Sequence, residues 1–439
     1  MADLLLGQTL AFAADPFAEG PAAARHEPRG AVLIEEGRIA ALGPAETLRA
    51  AHPQARVTDY GAALISAGFV DCHMHYPQTG IIASWGKRLI DWLNSYTFPE
   101  EMRLADPEVA AETAARACDL ALLHGTTTLA SYCTSAPVSV DAFFAAAEAR
   151  GMRVIAGKTC MDRNAPPGLT DTPERAAEES AALIARWHGR GRARYAITPR
   201  FAPTSSPEQL TLLGALRAAY PDCPVQTHLS EQTDEVAWVS ELFPEARDYL
   251  DVYERHGLAG AGAVFGHAIH LAPRERAALA ATGAGVAHCP TSNGFIGSGL
   301  FDLTGLKAMG VKVGLATDTG GGSSFSMLRT MAAAYEVAQL GGHAVHPAAL
   351  WWLATAGSAE VLGIADRVGN LVPGREADLV VIDLASTPAI AQRAARAGDL
   401  WEALFPTIMM GDDRAVRAVW VAGRERPRAA LLTALAARV

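Results

Sequence analysis

The chain lacks the charge pattern of a protein that binds nucleic acids or membrane surfaces. Its 439 residues carry a formal net charge of −10, and no long run of lysine or arginine occurs. Nucleic acids and anionic membranes attract clustered basic side chains. We therefore expect no nucleic acid and no membrane among the partners of this protein.

Paired cysteines and a secretory signal are missing as well. The six cysteines are scattered without a C-x-x-C pair, and in a chain of this size such thiols are expected to be reduced and mostly buried. The first residues carry Asp3 and no basic region before a short apolar run. Such a segment is a poor secretory signal and too short to span a bilayer. The expected location is the cytoplasm.

Apolar residues are abundant and follow a regular rhythm. Hydrophobic residues make up 50% of the sequence and charged residues 19%, which allows a large buried core. From Gly68 onward, short apolar segments alternate with helical ones, so an α/β fold with a closed (β/α)8 TIM-like barrel is expected. An open doubly wound sheet is disfavoured because no glycine-rich phosphate loop follows the first segment. The predicted strands are 69–75, 126–133, 153–160, 195–201, 225–229, 263–267, 285–289 and 311–317.

Both ends of the chain are predicted to be rich in strands. Segments 31–34 and 38–42 flank a turn, and segments 377–383 and 416–423 are not separated by long helices. We expect both ends to build one small β-sandwich domain beside the barrel, with a terminal helix from Pro427. The predicted domains are residues 1–66 and 366–439 for the β domain and residues 67–365 for the barrel.

The segment G-F-V-D-C-H-M-H-Y-P-Q at residues 68–78 carries two histidines two positions apart. Residues i and i+2 of a strand point to the same face, so His73 and His75 can converge at the end of the first barrel strand. Two neutral imidazoles suit a divalent transition metal, above all zinc. Two unrelated surface histidines are the alternative interpretation of this motif.

Further polar residues fall at the ends of later predicted strands, where barrel enzymes keep their active sites. His228 ends the fifth strand, His267 the sixth and Asp318 the eighth. With His73 and His75, His228 and Asp318 would form a zinc site of three imidazoles and one carboxylate. Each residue taken alone has an alternative interpretation, since His228 could be a core histidine and Asp318 a turn residue.

A proton carrier is also needed, because zinc supplies hydroxide from water at neutral pH but does not protonate a leaving group. Glu231, three residues after His228, is the candidate, although a helix first-turn carboxylate is the alternative. His267 would hold water or stabilise oxyanion charge. The fourth strand, A-I-T-P-R-F at 196–201, has no lysine to bridge two metals, so one metal is expected.

These motifs resemble the amidohydrolase superfamily, and within it the guanine deaminases, over nearly the whole chain. The H-x-H pair and the final aspartate mark the superfamily only. More specific to guanine deaminases are W-L-N-S-Y-T-F-P-E at 92–100, M-D-R-N at 161–164 and T-P-R-F at 198–201. Supporting segments are Q-T-H-L-S-E at 226–231, H-C-P-T-S-N at 288–293 and A-T-D-T-G-G-G at 316–322.

The resemblance implies zinc-dependent hydrolysis of guanine to xanthine and ammonia, in purine catabolism or salvage, with one Zn²⁺ per subunit and a homodimer. It makes His73, His75, His228 and Asp318 the zinc ligands, and Glu231, His267 and Asp318 the catalytic residues. The residues that it implies for substrate binding are His75, Gln78, Arg200, Phe201, His228, Glu231, His267 and Asp318.

Base recognition by Arg200 is physically reasonable, because a guanidinium can donate to the C6 carbonyl of guanine and not to the amino group of adenine. Trp92, Tyr96 and Phe98 would wall the pocket or pack in the core. His270 and His288 are interpreted as structural.

Three alternatives remain at this stage. A related deaminase acting on another aminopurine, a pterin or a triazine would differ only in the base-reading residues. A non-catalytic assembly protein should have lost metal ligands, and this chain keeps them. Hydrolysis of a cyclic amide would require the bridging lysine that is missing.

Overall fold

The first four strands of the chain belong to one sheet at the edge of the molecule. The structure is a computed structural model that describes residues 2–86 and 88–437. β1 (Asp3–Phe12) pairs antiparallel with β2 (Ala24–Glu35) and parallel with β4 (Arg56–Ala67), while β3 (Arg38–Pro44) pairs antiparallel with β2. The expected hairpin is therefore present, and Gly37 makes its turn at a φ of 78°.

The middle of the chain alternates parallel strands with helices, as the sequence predicts. The strands are β5 (Phe69–His75), β6 (Thr126–Tyr132), β7 (Arg153–Gly157), β8 (Thr159–Cys160), β9 (Ala193–Tyr195), β10 (Thr198–Pro199), β11 (Val225–Leu229), β12 (Ala263–His267), β13 (Gly285–His288) and β14 (Lys312–Leu315). They pair in the orders β5-β6-β7-β9, β8-β10 and β11-β12-β13-β14.

Backbone hydrogen bonds join these sets of strands into a ring. The amide of Ile197 donates to the carbonyl of Pro224 at 2.8 Å, which links the fourth barrel segment to the fifth. The amide of Asp318 donates to the carbonyl of His73 at 2.9 Å, which links the last segment to the first. The prediction of a closed barrel is confirmed.

The last strands of the chain return to the sheet that the first ones began. β15 (Leu379–Ile382) pairs antiparallel with β4 and with β16 (Val416–Val421), which pairs with β17 (Arg424–Arg426). Among the described residues the sheet order is β17-β16-β15-β4-β1-β2-β3. Both chain ends thus build one sheet, as expected, whereas the domain boundaries near residues 66 and 365 stay predictions.

Helices surround the barrel strands. Asp106, Thr172 and Ser206 cap three of them by accepting hydrogen bonds from backbone amides of the first turn, each before a proline that opens the helix. The predicted terminal helix is present at Arg428–Ala436, and residues 438–439 lie outside the described part of the chain. None of the described helices has the length and apolar character needed to cross a membrane. The helices are α1 (Pro16–Glu19), α2 (Ala45–Ala51), α3 (Leu89–Trp92), α4 (Phe98–Arg103), α5 (Pro107–Leu123), α6 (Pro137–Arg150), α7 (Pro173–Trp187), α8 (Pro207–Ala219), α9 (Thr233–Leu242), α10 (Tyr249–Arg255), α11 (Pro273–Thr282), α12 (Pro290–Phe295), α13 (Leu303–Ala308), α14 (Met327–Leu340), α15 (Pro347–Trp352), α16 (Ser358–Val361), α17 (Pro388–Ala394), α18 (Leu400–Met410) and α19 (Arg428–Ala436).

Candidate metal and active site

Four side chains from three barrel segments converge at one buried point. The Nε2 atoms of His75 and His228 lie 3.2 Å apart. Oδ1 of Asp318 lies 3.3 Å from Nε2 of His73 and 3.5 Å from Nε2 of His75. All four residues are buried. The predicted metal ligands are therefore brought together.

The donor atoms of this group fit a tetrahedral zinc ion. Zinc bound at 2.0–2.1 Å places neighbouring ligand atoms about 3.3 Å apart, which matches the spacing of these nitrogens and the carboxylate oxygen. Nε2 of His73 is buried and makes no good hydrogen bond with any residue in the described ranges. An orphaned nitrogen of this kind is expected where a metal completes the site.

The protonation states of the histidines also suit a metal. Burial lowers the pKa of His73 and holds those of His75 and His228 well below their usual range, so the rings are neutral. Nδ1 of His228 lies 2.7 Å from the carbonyl of Arg200, to which it donates. Its Nε2 therefore carries the lone pair that a metal requires.

Asp71 holds the first strand against the last one. Its carboxylate accepts hydrogen bonds from the backbone amide of Thr317 at 3.0 Å and from the Thr317 hydroxyl at 2.5 Å. Burial raises the pKa of Asp71 to about 7 in spite of these hydrogen bonds. This contact fixes the residue before Asp318, and sequence reasoning assigned Asp71 no such role.

Glu231 follows β11 and lies buried beside the predicted metal ligands. Its Oε1 accepts a hydrogen bond from the Ser298 hydroxyl at 3.2 Å, and its Oε2 lies 3.5 Å from Nε2 of His267. Burial raises its pKa to about 7, an effect that nearby His267 opposes and Glu235 reinforces. A carboxylate with such a pKa can both accept and return a proton near neutral pH.

His267 lies between an amide oxygen and two carboxylates. Its Nδ1 lies 2.8 Å from Oδ1 of Asn293, to which it donates, and its Nε2 lies 3.5 Å from Glu231 and 3.8 Å from Asp318. Burial acts to lower the pKa of His267, but the carboxylates of Glu231 and Asp318 raise it above the ordinary value. The ring can thus place positive charge beside the reacting atoms.

A pocket of about 410 Å³ opens onto these groups. All the predicted substrate-binding residues line it, and so does Trp92, whereas Tyr96 and Phe98 do not. Phe98 instead packs below the guanidinium of Arg200, with 5.5 Å from Cζ to the ring centre. The lining residues are His75, Gln78, Leu89, Trp92, Leu93, Arg200, Phe201, His228, Glu231, His267, Ile296, Asp318 and Gly321.

Glu101 is a residue of this region that sequence reasoning missed. It is buried, and its carboxylate accepts hydrogen bonds from both Gln78 and Arg200. Glu100 and Glu101 are adjacent in sequence, and only the burial of a helix face distinguishes them. α4 has only six residues, which are too few for the pattern of apolar residues to show which face of the helix is buried.

Three other residues with titratable side chains, His270, His288 and Lys158, do not line the pocket. Nε2 of His270 is bonded to the carbonyl of Ser298 at 2.8 Å, and His288 stacks on Phe301 with ring centres 4.2 Å apart. Burial lowers the pKa of His288 to about 3. Lys158 is fully buried, forms an ion pair with Asp171 and donates to the carbonyl of Ser135 at 2.6 Å.

Comparisons with known proteins identify the family of the chain. The model of the amidohydrolase family matches residues 64–426, and that of a bacterial imidazolonepropionase-like composite domain matches residues 30–55. A guanine deaminase from Escherichia coli K12 is 46% identical over 396 residues, which cover 90% of each chain.

Solved structures agree with this relationship. The structure of E. coli guanine deaminase matches with a TM-score of 0.94 and 44% identity, covering 97% of this chain and 99% of the other. A guanine deaminase from C. acetobutylicum with guanine bound in its active site matches with a TM-score of 0.89 and 27% identity, covering 97% and 100% of the two chains. The chain belongs to the amidohydrolase family, and within it to the guanine deaminases.

Proposed function

We propose that the protein hydrolyses guanine to xanthine and ammonia with one Zn²⁺ per subunit. The observation that carries this function is the convergence of three neutral imidazoles and Asp318 beside Glu231 at one buried point that opens into a pocket. Guanine deaminases share up to 46% identity with this chain, and one guanine deaminase that matches it in structure holds guanine in its active site.

His73, His75, His228 and Asp318 would hold the zinc ion. When bound, zinc acts as a Lewis acid that makes water a nucleophile at neutral pH. The neutral rings of the three histidines and the ionised carboxylate of Asp318 supply the donors. Burial acts to raise the pKa of Asp318, but the nearby His73 and His267 lower it to about 2, so this ligand stays ionised.

The protein's own side chains move the protons of the reaction. Glu231 accepts a proton from the attacking water and passes it to the ring nitrogen beside C2 of guanine. Glu231 then takes the remaining proton of the hydroxyl added at C2 and passes it to the amino group. The C2–N bond breaks to release ammonia, and the C2 carbonyl of xanthine forms. His267 and Asp318 hold the oxygen that has been added at C2 while the bond breaks.

Gln78, Arg200 and the backbone of Phe201 would read the base, and His267 would also contact it. Arg200 supplies donors for the C6 carbonyl, and Gln78 has a side-chain amide on the same pocket wall. A site built on hydrogen bonds rejects a base that leaves its groups unpaired by up to about 10⁴–10⁵-fold. Deaminases of other aminopurines, pterins or triazines would require different residues here.

The cellular setting is part of the same proposal. All six cysteines are free and buried, which supports a reducing compartment such as the cytoplasm. Guanine hydrolysis would serve purine catabolism or salvage. A homodimer remains an expectation drawn from the family.

Ammonia release from purified, zinc-loaded protein tests the function. Guanine, adenine, cytosine and 8-oxoguanine should be assayed in parallel, and guanine is expected to be turned over preferentially. Clear turnover of another base without turnover of guanine would contradict the substrate assignment. Loss of activity with a chelator and its recovery with zinc are expected from the ligand set.

A further inference from the structure

We propose that Glu101 is a positioning residue that fixes which atoms Gln78 and Arg200 present to the base. This inference rests on the proposed function, in which these two side chains read guanine. It adds a buried carboxylate behind the pocket wall as a determinant of specificity.

Glu101 lies on α4 with 1% of its surface exposed, and it contacts Gln78 and Arg200 at the same time. Its Oε1 accepts hydrogen bonds from Nε2 of Gln78 at 2.9 Å and from Nη1 of Arg200 at 3.0 Å. Its Oε2 accepts a second hydrogen bond from Nη1 of Arg200 at 2.7 Å. One carboxylate therefore joins the two side chains into a single unit.

The chemistry of a carboxylate determines the orientation of Gln78. An ionised carboxylate only accepts hydrogen bonds, so the amide of Gln78 must turn its NH₂ group towards Glu101. Its Oε1 makes no hydrogen bond with any other residue that the structure describes, and the residue lines the pocket. The atom that Gln78 offers to a ligand is therefore an acceptor.

Glu101 also leaves Arg200 with a defined set of donors. Nη1 is occupied by the carboxylate, so Nε and Nη2 remain for a ligand. The positive charge of the guanidinium is balanced by Glu101, and the ring of Phe98 supports it 5.5 Å from Cζ. A charge-balanced site favours a neutral base over an anion.

An acceptor from Gln78 beside donors from Arg200 complements one kind of ring edge. That edge carries an N–H next to a carbonyl, as N1 and C6 of guanine do. In 2,6-diaminopurine the 2-amino group is kept, but N1 accepts and the group at C6 donates. The acceptor of Gln78 would then face another acceptor, and the donors of Arg200 would face another donor. The buried groups of the protein would stay unpaired.

The variant Glu101→Gln tests this role, because a neutral amide can accept or donate and no longer dictates the orientation of Gln78. We expect the ratio of kcat/KM for guanine over 2,6-diaminopurine to fall about 10- to 100-fold, mainly through a higher KM for guanine. Where 2,6-diaminopurine is not turned over, its inhibition constant against guanine takes the place of its kcat/KM. Glu100→Gln is the matched control, since Glu100 pairs with Arg103 instead, and its ratio should not change.

The outcomes separate this inference from the proposed function. Guanine turnover by the unaltered protein, with the same substrate ratio in Glu101→Gln, would contradict only the role of Glu101. No guanine turnover by the unaltered protein would contradict the function itself. Should Glu101→Gln fail to fold, a crystal structure of the unaltered protein with guanine tests the inference instead. Oε1 of Gln78 is expected to accept a hydrogen bond from a ring N–H of guanine. Contact of the Gln78 amide with a ring nitrogen that carries no hydrogen would overturn the inference.

Discussion

At the scale of single residues, the surroundings of each carboxylate rather than its type determine what it can do. Asp318 and Glu231 are both buried, and burial alone raises the pKa of both. The neighbouring His73 and His267 lower the pKa of Asp318 to about 2, whereas burial raises the pKa of Glu231 to about 7. Asp318 is thus suited to bind a cation permanently, and Glu231 is suited to exchange a proton.

The variant Glu231→Gln is expected to lose catalysis and to keep zinc. The amide has nearly the same shape but cannot accept and return a proton, so kcat should fall by about 10²–10⁴-fold. Zinc content from elemental analysis and steady-state kinetics check both parts. Glu241→Gln, on the exposed side of α9, is the matched control. Substantial turnover by Glu231→Gln would remove Glu231 from the proton path.

Single residues differ in how far the sequence could predict them. His73, His75, His228 and Asp318 could be placed together because parallel strands of a barrel end at one face. Glu101 could not be found in this way, because its role depends on two long-range contacts, to Gln78 23 residues away and to Arg200 99 residues away. No local pattern separates it from the neighbouring Glu100, which is only partly buried.

At the scale of elements, the site depends on how the first barrel strand meets the last. The predicted bounds of β5, β11 and β12 agree with the structure, because each is a short segment between clear breaks. The predicted third strand is split into β7 and β8 at Lys158, whose backbone amide donates to the Tyr195 hydroxyl at 3.2 Å and not to a neighbouring strand. A side chain from a distant segment causes this interruption, and periodicity cannot reveal it.

The contact between Asp71 and Thr317 should control the metal affinity of the site. In Thr317→Val the hydroxyl donor is lost and the buried carboxylate of Asp71 keeps only its backbone partners. We expect about 1–3 kcal/mol of lost stability and zinc binding about 10- to 100-fold weaker, because the neighbouring Asp318 loses its support. Thr317→Ser retains the hydroxyl and should behave like the unaltered protein. Chelator competition measures the zinc affinity, and thermal unfolding of the zinc-free protein measures the stability. An unchanged zinc affinity in Thr317→Val would contradict the positioning role of the contact between Asp71 and Thr317.

At the scale of the whole molecule, a buried ion cluster joins the barrel to the sheet of the chain ends. Glu376, just before β15, bonds to Arg153 of β7 at 2.5 Å and to Arg192 at 2.5 Å. Arg192 also bonds to Asp378 at 2.6 Å. The sequence predicted both the barrel and the sheet, but it could not predict this connection, because the partners lie 184 or more residues apart along the chain.

Glu376→Gln should weaken this connection in a pH-dependent way. Burial acts to raise the pKa of Glu376, but Arg153 and Arg192 lower it below the ordinary value of 4.5. A carboxylate with a lowered pKa stabilises the folded protein above its ordinary pKa, and this contribution is lost as the pH falls through the lowered value. At pH 7 we expect the variant to be about 3 kcal/mol less stable, because two buried guanidinium groups lose their ionised partner. Melting temperatures of the variant and the unaltered protein should therefore differ at pH 7 and converge as the pH falls below about 4.5. Glu425→Gln, at an exposed position on β17, should show no such difference in melting temperature at any pH. A difference for Glu376→Gln that does not change with pH would mean that packing rather than charge holds the barrel and the sheet together.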